Sequence, residues 1–455
     1  MFRTGQLIGS ENCCRGALGA RSTEHFASVH CDGDADVRAS DGLTTMEAGP
    51  ADKPRNRVLM ILENCSYLRD ARVGKQAKAL REGGYQVSVI SPEVGPLPSC
   101  VVIEGITIYG FPRFSHFHGT VGYFLEYAYA TFAIAVLSTY VALVRGFDII
   151  HIANPPDCII LATVIYKLLG KRIIYDQHDL SPELYEAKFS RRNALLLRLQ
   201  LRLESISYQL ADHIIVTNES YKKVALGRGR QPESKVTVVR NGPELERLHA
   251  LKVDAELRKR STNIIAFVGV VGHQDGLDYL CRALSSLHCD WKKEDFLCIV
   301  VGDGNALSSV KSLARTLGID NKIWFVGWVS DPEVYFRYLS TADICVAPEP
   351  SNKYNDHSTF VKIMEYMLAG KPVVAFDLPE TRVSAEGAAL YASPNDYRDF
   401  AAKIATLMVD EGLRHSLGKL GRQRVETRLA WKYSIPGLLA AYDRVSEHPH
   451  SFARD

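Results

Sequence analysis

Asn355-Asp-His357-Ser358-Thr359-Phe360-Val-Lys362-Ile-Met-Glu365-Tyr-Met-Leu-Ala-Gly370-Lys-Pro372-Val-Val374 reads as a helix running into a buried strand. Ser358 or Thr359 is placed to cap the helix start, where backbone N–H groups have no partner inside the helix. Gly370 ends the helix and Pro372 opens the apolar strand behind it. Such a unit presents free N–H groups at the helix start, and these attract anions.

The same alternation extends in both directions. Val58–Leu62, Tyr85–Ile90, Asp148–Ile152, Arg172–Tyr175, His213–Val216 and Val236–Val239 are short apolar runs separated by helical patterns. After a charged connector, Glu244 to Arg260, the alternation restarts with Asn263–Val268, Phe296–Val301, Lys322–Val326, Ile344–Ala347 and Pro372–Ala375. Strand–helix–strand repeats predict parallel pairing, hence an α/β protein of two doubly wound, Rossmann-like domains over 56–243 and 262–428. Two such sheets face a common cleft with their carboxyl ends, where ligands are expected.

Of the 455 residues, 46% are hydrophobic and 23% charged, which excludes wholesale disorder. Lys+Arg 54 against Asp+Glu 52 gives a formal charge of +2, so a nucleic-acid partner is not expected. The ten cysteines form no C-x-x-C pair, which fits a reducing, cytoplasmic setting. Residues 1–55 lack apolar periodicity and read as a mobile arm. Within it, Asp32, Asp34 and Asp36 imitate a D-x-D metal pair but have no rigid strand end behind them, so no metal is expected. Tyr127 to Val144 carries no charge. It lies between two strand candidates of one sheet, Ile106–Tyr109 and Asp148–Ile152, so a buried helix is preferred over an interfacial one, and a transmembrane span comes third.

The turn Leu62-Glu-Asn-Cys-Ser66 has no glycine, and no G-x-x-x-x-G-K-[ST] occurs, so dinucleotide enzymes and phosphate-loop NTPases are disfavoured. In the second half, Gly269, Gly272 and Gly276 follow a strand, and Gly302-Asp303-Gly304 follows the next. Both turns can aim backbone N–H groups at a phosphate, or can merely permit tight packing. Lys362 and Glu365 share one helix face, where a carboxylate can accept both hydroxyls of a ribose while the helix start holds a diphosphate. The alternative, a solvated i,i+3 ion pair, fits poorly with Met364, Met367 and Leu368 around it.

On these motifs the chain resembles the family 4 glycosyltransferases, over roughly residues 57 to 446. Asn241-Gly242-Pro243 is similar to the family's Asn-Gly-Val turn, Gly302-Asp303-Gly304 to its G-x-G turn, and Glu365 to Val374 to its E-A-M-A-x-G-x-P-V-V run. The segment after Trp431, with Tyr442, resembles the family's closing helix, here 429–446. The resemblance implies a GT-B fold, a nucleotide-diphosphate sugar in the second domain, an acceptor in the first, and transfer with retention and without a required metal. It implies donor contacts from Gly269, Gly272, Gly302, Gly304, Ser358, Thr359, Phe360, Lys362 and Glu365. Three positions depart from the family. His357 stands where a Glu holds donor-sugar hydroxyls, and Val270 and Asp275 replace an Arg and a Lys that neutralise the diphosphate. These departures resemble a branch that builds bacterial surface polysaccharide.

On the acceptor side, Tyr175-Asp176-Gln-His178-Asp179-Leu-Ser181 follows a strand. His178 matches the family's cleft histidine. Its neutral ring can bond a hydroxyl, with Asp179 or Asp176 fixing the tautomer. His178, Asp179 and His357 are the catalytic candidates. Asn154 and Asp157 can cap the helix after their strand. Arg69, Asp70 and Arg72 open the first helix, where the two guanidiniums can hold an acceptor phosphate, or Asp70 can simply cap. The expected function is transfer of a sugar from a nucleotide-diphosphate sugar to a saccharide on a polyisoprenyl diphosphate at the inner membrane face. A nucleotide-sugar epimerase of the same shape and a sugar-nucleotide-binding protein without turnover are the alternatives.

Overall fold

The computed structural model describes residues 56–92, 100–113, 119–188, 193–246 and 252–447. The arm 1–55, with Asp32, Asp34 and Asp36, lies outside the described residues.

The first sheet holds β1 (Arg57–Ile61), β2 (Gln86–Pro92), β3 (Cys100–Ile103), β4 (Ile106–Phe111), β5 (Ile149–Ala153), β6 (Arg172–Gln177), β7 (His213–Val216) and β8 (Val236–Val238). Their order is β3-β4-β2-β1-β5-β6-β7-β8, parallel except for β3, which pairs antiparallel with β4 at the edge. The second sheet holds β9 (Ile264–Val268), β10 (Leu297–Val301), β11 (Ile323–Gly327), β12 (Ile344–Ala347), β13 (Val373–Phe376) and β14 (Ala389–Ala392). It is parallel throughout, in the order β11-β10-β9-β12-β13-β14. Helices cover both faces of each sheet, which is why the central strands are continuous apolar runs. Strand order reverses at β1/β5 and at β9/β12, so crevices open at the carboxyl ends of these pairs.

After the second domain the chain returns to the first. The Trp431 amide donates to Pro243 O at 2.9 Å. Trp431, Leu438, Ala441, Tyr442 and Val445 then enter the core that holds Val58, Val73 and Leu80. The closing helix Ile435–Glu447 thus packs on the first helix, Ala71–Glu82, and against β7 and β8. Buried Lys75 fastens this return, donating to Gly242 O at 2.7 Å with its ammonium 5.3 Å from the Trp431 ring.

The long apolar stretch forms the helix Gly119–Val144, but it is not the buried helix expected. Ala130, Ile134, Ser138 and Val141 face the sheet, while Phe132 is 69% and Leu143 83% exposed. The sheet covers only one of its two apolar faces.

Gly242 sits where the returning chain crosses. A Cβ there would lie 1.9 Å from Leu429 O, whereas one on Gly437 would meet nothing nearer than 3.6 Å. Gly242→Ala should therefore destabilise the protein by about 1–3 kcal/mol. Gly437→Ala, inside a helix, should be neutral or stabilising by about 0.5–1 kcal/mol. Thermal unfolding of the two variants checks this, and equal melting temperatures would contradict the crossing described.

Candidate active site

A cavity of about 170 Å³ lies between the two sheets. From the first domain it is lined by Arg72, His178, Asp179 and Tyr221, among others; from the second by Asp275, Tyr354, Ser358, Thr359, Phe360 and Val361, among others.

His178 is placed by the end of β6 and held by β5. Asn154, just past β5, accepts from the His178 amide at 2.6 Å and the Asp179 amide at 3.1 Å, and donates to Asp179 O, Asp157 Oδ1 and the Tyr175 hydroxyl. Asn154 therefore does not cap the next turn, which starts after Pro156 with no side-chain cap. It fastens the loop at residues 178–179 instead. Asp157 likewise turns inward, accepting from Tyr175 at 2.5 Å.

The partner of the His178 ring is Asp176, not Asp179. Asp176 Oδ2 accepts a short hydrogen bond from His178 Nε2 and one from Gln76 Nε2 at 2.8 Å, and His151 Nε2 stands 3.2 Å away. Burial alone would raise the Asp176 carboxyl, but the imidazoles and their hydrogen bonds hold it well below the usual carboxylate range. Burial, with Arg72 adding to it, lowers the His178 pKa. The neutral ring with its proton on Nε2 follows, which leaves Nδ1 as acceptor, buried and met by no protein group. On the far side of Asp176, His151 Nδ1 lies 2.7 Å from the Tyr442 hydroxyl of the closing helix.

Asp179 bonds across the cleft, accepting from the Tyr354 hydroxyl at 2.7 Å. Asn218 donates to His357 O and to Thr359 Oγ1, and Ser220 donates to buried Glu380 at 2.6 Å. These bonds account for Ser358 and Thr359. Neither caps the helix Val361–Leu368, whose N-cap residue is Phe360 with no side-chain bond. Ser358 Oγ donates to Tyr354 O, and Thr359 Oγ1 donates to Glu380. The helix start is thus uncapped, with Phe360 and Val361 on the cavity wall.

The glycine turns are brought together, but not as a phosphate nest. Gly302 (φ 150°) presses on Gly269 (φ 134°), where a Cβ would fall 1.8 Å from Gly269 O. The amides of Gly269, Val271 and Gly302 donate to Val301, Asp303 and Gly327 carbonyls, Gly272 to Asp275 Oδ2, and Gly304 to Asp303 Oδ1. These glycines serve close turn-on-turn packing, the plainer of the two readings.

Lys362 lies beneath Gly269, 2.5 Å from the buried carboxylate of Glu349 and 4.1 Å from the centre of the Phe267 ring. Asp275 is pushed up to about 6 by burial, against the pull of Lys362. Glu365 accepts from Tyr335 at 2.5 Å. The His357 ring bonds Lys353 O within its own turn. Lys362, Glu365 and His357 do not line the cavity. Of the acceptor trio, Asp70 caps the first helix through the Arg72 and Val73 amides, Arg72 reaches the cavity, and Arg69 is exposed.

Glu63, just beyond β1, was not singled out by the sequence. It is 5% exposed, and burial pushes its carboxyl up to about 7. Apart from its place at a strand end, the sequence carries no signal for it.

Two facing parallel-sheet domains, a cavity between their strand ends, and a helix returning to the first domain define the GT-B class. The family model described as Glycosyltransferase Family 4 matches residues 72–247, and that described as Glycosyl transferases group 1 matches 262–410. An uncharacterized glycosyltransferase of Methanocaldococcus jannaschii is 23% identical over 78% of this chain and 88% of its own length. The putative teichuronic acid biosynthesis glycosyltransferase TuaH of Bacillus subtilis is 30% identical over 46% of this chain and 51% of its own. Among solved structures, sucrose-phosphate synthase from Thermosynechococcus elongatus superposes with a TM-score of 0.70 at 17% identity, covering 86% of this chain and 99% of that one. The chain belongs to the glycosyltransferases of the family 4/group 1 type.

The pH dependence of stability tests the burial of Glu63. Its folded pKa of about 7 exceeds the ordinary 4.5, so the folded state binds the proton more tightly. This carboxyl costs nothing below pH 4.5, and its cost grows as pH rises to 7, reaching about 3 kcal/mol. Glu63→Gln should remove that share of the decline in denaturant-unfolding measurements at pH 5 and pH 8. A variant that keeps the parent's full decline would contradict the assignment.

Proposed function

We propose that the protein transfers a sugar, with retention, from a nucleotide-diphosphate sugar to a hydroxyl of a saccharide carried on a polyisoprenyl diphosphate. The reading includes action at the cytoplasmic face of a membrane and no metal requirement. The observation that carries it is the pairing, across one cavity, of His178 and Arg72 with the uncapped start of the helix Val361–Leu368.

In this reading the helix start and the Arg72 guanidinium attract the departing diphosphate. His178 Nδ1 accepts a hydrogen bond from a sugar hydroxyl. The bond from the anomeric carbon to the diphosphate breaks, and the acceptor oxygen bonds to that carbon on the same face. The acceptor proton passes to the leaving phosphate oxygen. Lys362, neutralised by Glu349, contributes little net charge. The cavity is smaller than the roughly 300–1,000 Å³ of ordinary ligand sites, so donor entry needs the domains to part, breaking the Asn218–Thr359 and Tyr354–Asp179 bonds. Surface-polysaccharide relatives such as the Staphylococcus aureus capsular glycosyltransferase CapM support the acceptor class.

Thermal-shift measurements with UDP, GDP, ADP and CMP sugars, followed by transfer to a polyisoprenyl-linked saccharide, test the proposal. One donor at 100–1,000 times its Kd should stabilise the protein by about 3–4 kcal/mol. Arg72→Ala should weaken that shift, and product NMR should show the donor's anomeric configuration. No response to any donor would overturn the reading. Binding without turnover would favour the sugar-nucleotide-binding alternative.

A further inference from the structure

The helix Gly119–Val144 is apolar on the face it buries and on the face it does not. Its outward stripe carries Leu125, Phe132, Val136, Tyr140, Leu143 and Val144, all exposed. A helix at a water-facing surface normally has a polar outer face. The stripe continues onto the neighbouring segment 157–169, which adds exposed Leu161, Ile165, Leu168 and Leu169. The two segments are joined by packing and by hydrogen bonds, Thr139 to Tyr166 at 2.9 Å and Tyr166 to Ser138 at 3.1 Å. The helix Ala194–Leu210, packed on the same core through Ile206 and Leu210, brings exposed Leu195 and Leu199. An apolar face of this breadth marks an interaction site.

Charge says what covers it. The helix Gly119–Val144 and the segments 157–172 and 194–203 hold Lys167, Lys171, Arg172, Arg198 and Arg202, with Arg145 one residue past the helix. Against these stand two acidic residues, half-buried Glu126 and buried Asp157, which turns inward to Tyr175. Lys167 and Arg172 share Asp212, and Lys171 lies 3.7 Å from Asp148, while Arg145, Arg198 and Arg202 are exposed. Apolar side chains ringed by cations match a bilayer surface rich in anionic lipid, into which the former dip while the latter meet headgroups. The helix cannot cross that bilayer, because β4 before it and β5 after it belong to one sheet.

We propose that the outward face of the helix Gly119–Val144, with segments 157–169 and 194–203, docks the protein peripherally on an anionic membrane. This rests on, and sharpens, the reading of a lipid-carried acceptor. The turn at 157–163 reaches this face through exposed Leu161 and begins three residues after Asn154, which holds the loop at residues 178–179. The docked face thus stands beside the acceptor half of the cleft.

Flotation of the full chain with vesicles of phosphatidylcholine alone, or with phosphatidylglycerol added, tests the proposal. The protein should float with the anionic vesicles, bind neutral ones at least about tenfold more weakly, and come off in high salt or alkaline carbonate. Phe132→Glu combined with Leu143→Glu should abolish flotation while leaving the melting temperature and the donor-induced shift unchanged. Arg198→Ala with Arg202→Ala should reduce the preference for anionic lipid. Failure of the wild type to float overturns the proposal. So does resistance to carbonate extraction, or a dimer in sedimentation that the Glu variant dissociates, which would assign the face to a second copy. Flotation without any donor response would leave the docking standing and remove the transferase reading.

Discussion

The buried Asp176 carboxylate ties together parts of the chain that are otherwise far apart. It receives Gln76 from the first helix and His178 from its own strand end, with His151 of β5 beside it. His151 in turn reaches Tyr442 on the closing helix, 291 residues away. A carboxylate so deeply buried stays ionised only where donors surround it. The orientation of His178 therefore depends on β5, β6, the first helix and the closing helix being docked at once. The second domain's returning segment is thus connected to the cavity wall through one anion.

The second half contributes differently. Its two glycine turns pack back to back and use most of their own amides, and its buried lysine is matched by Glu349. What it offers to an anion is the uncapped helix start at Phe360 and Val361. The cation on the cavity wall, Arg72, comes from the opposite domain. The two features that attract an anion therefore lie on opposite walls of the cleft and meet only when the domains are together. The bonds from Asn218, Ser220 and Asp179 to the second domain hold that arrangement.

Much of the fold was legible in the sequence, because strands buried on both faces must be continuous apolar runs. The edge strand β3 and the strand β14 were harder to see. Cys100–Ile103 pairs antiparallel at an edge, and Ala389–Ala392 is short and Ala-rich. At the site, His178 and Arg72 were legible from their places at a strand end and a helix start. Asn154 was read as a cap because capping is the local option for an Asn; its actual partners, the 178–179 amides, come from the next strand. Ser358 and Thr359 misled for the same reason, since their hydroxyls are engaged by Tyr354, Tyr221, Asn218 and Glu380. Local pattern shows what a side chain can do, but long-range contacts decide which option it takes.

The most direct measurement is a pH titration of ¹⁵N-histidine-labelled protein by NMR, with His178 assigned through a His178→Gln variant. The expected result is a neutral ring protonated on Nε2 whose charging is shifted below pH 6.5, and that loses this tautomer in Asp176→Asn. A His178 that titrates near 6.5, or carries its proton on Nδ1, would contradict the arrangement around Asp176.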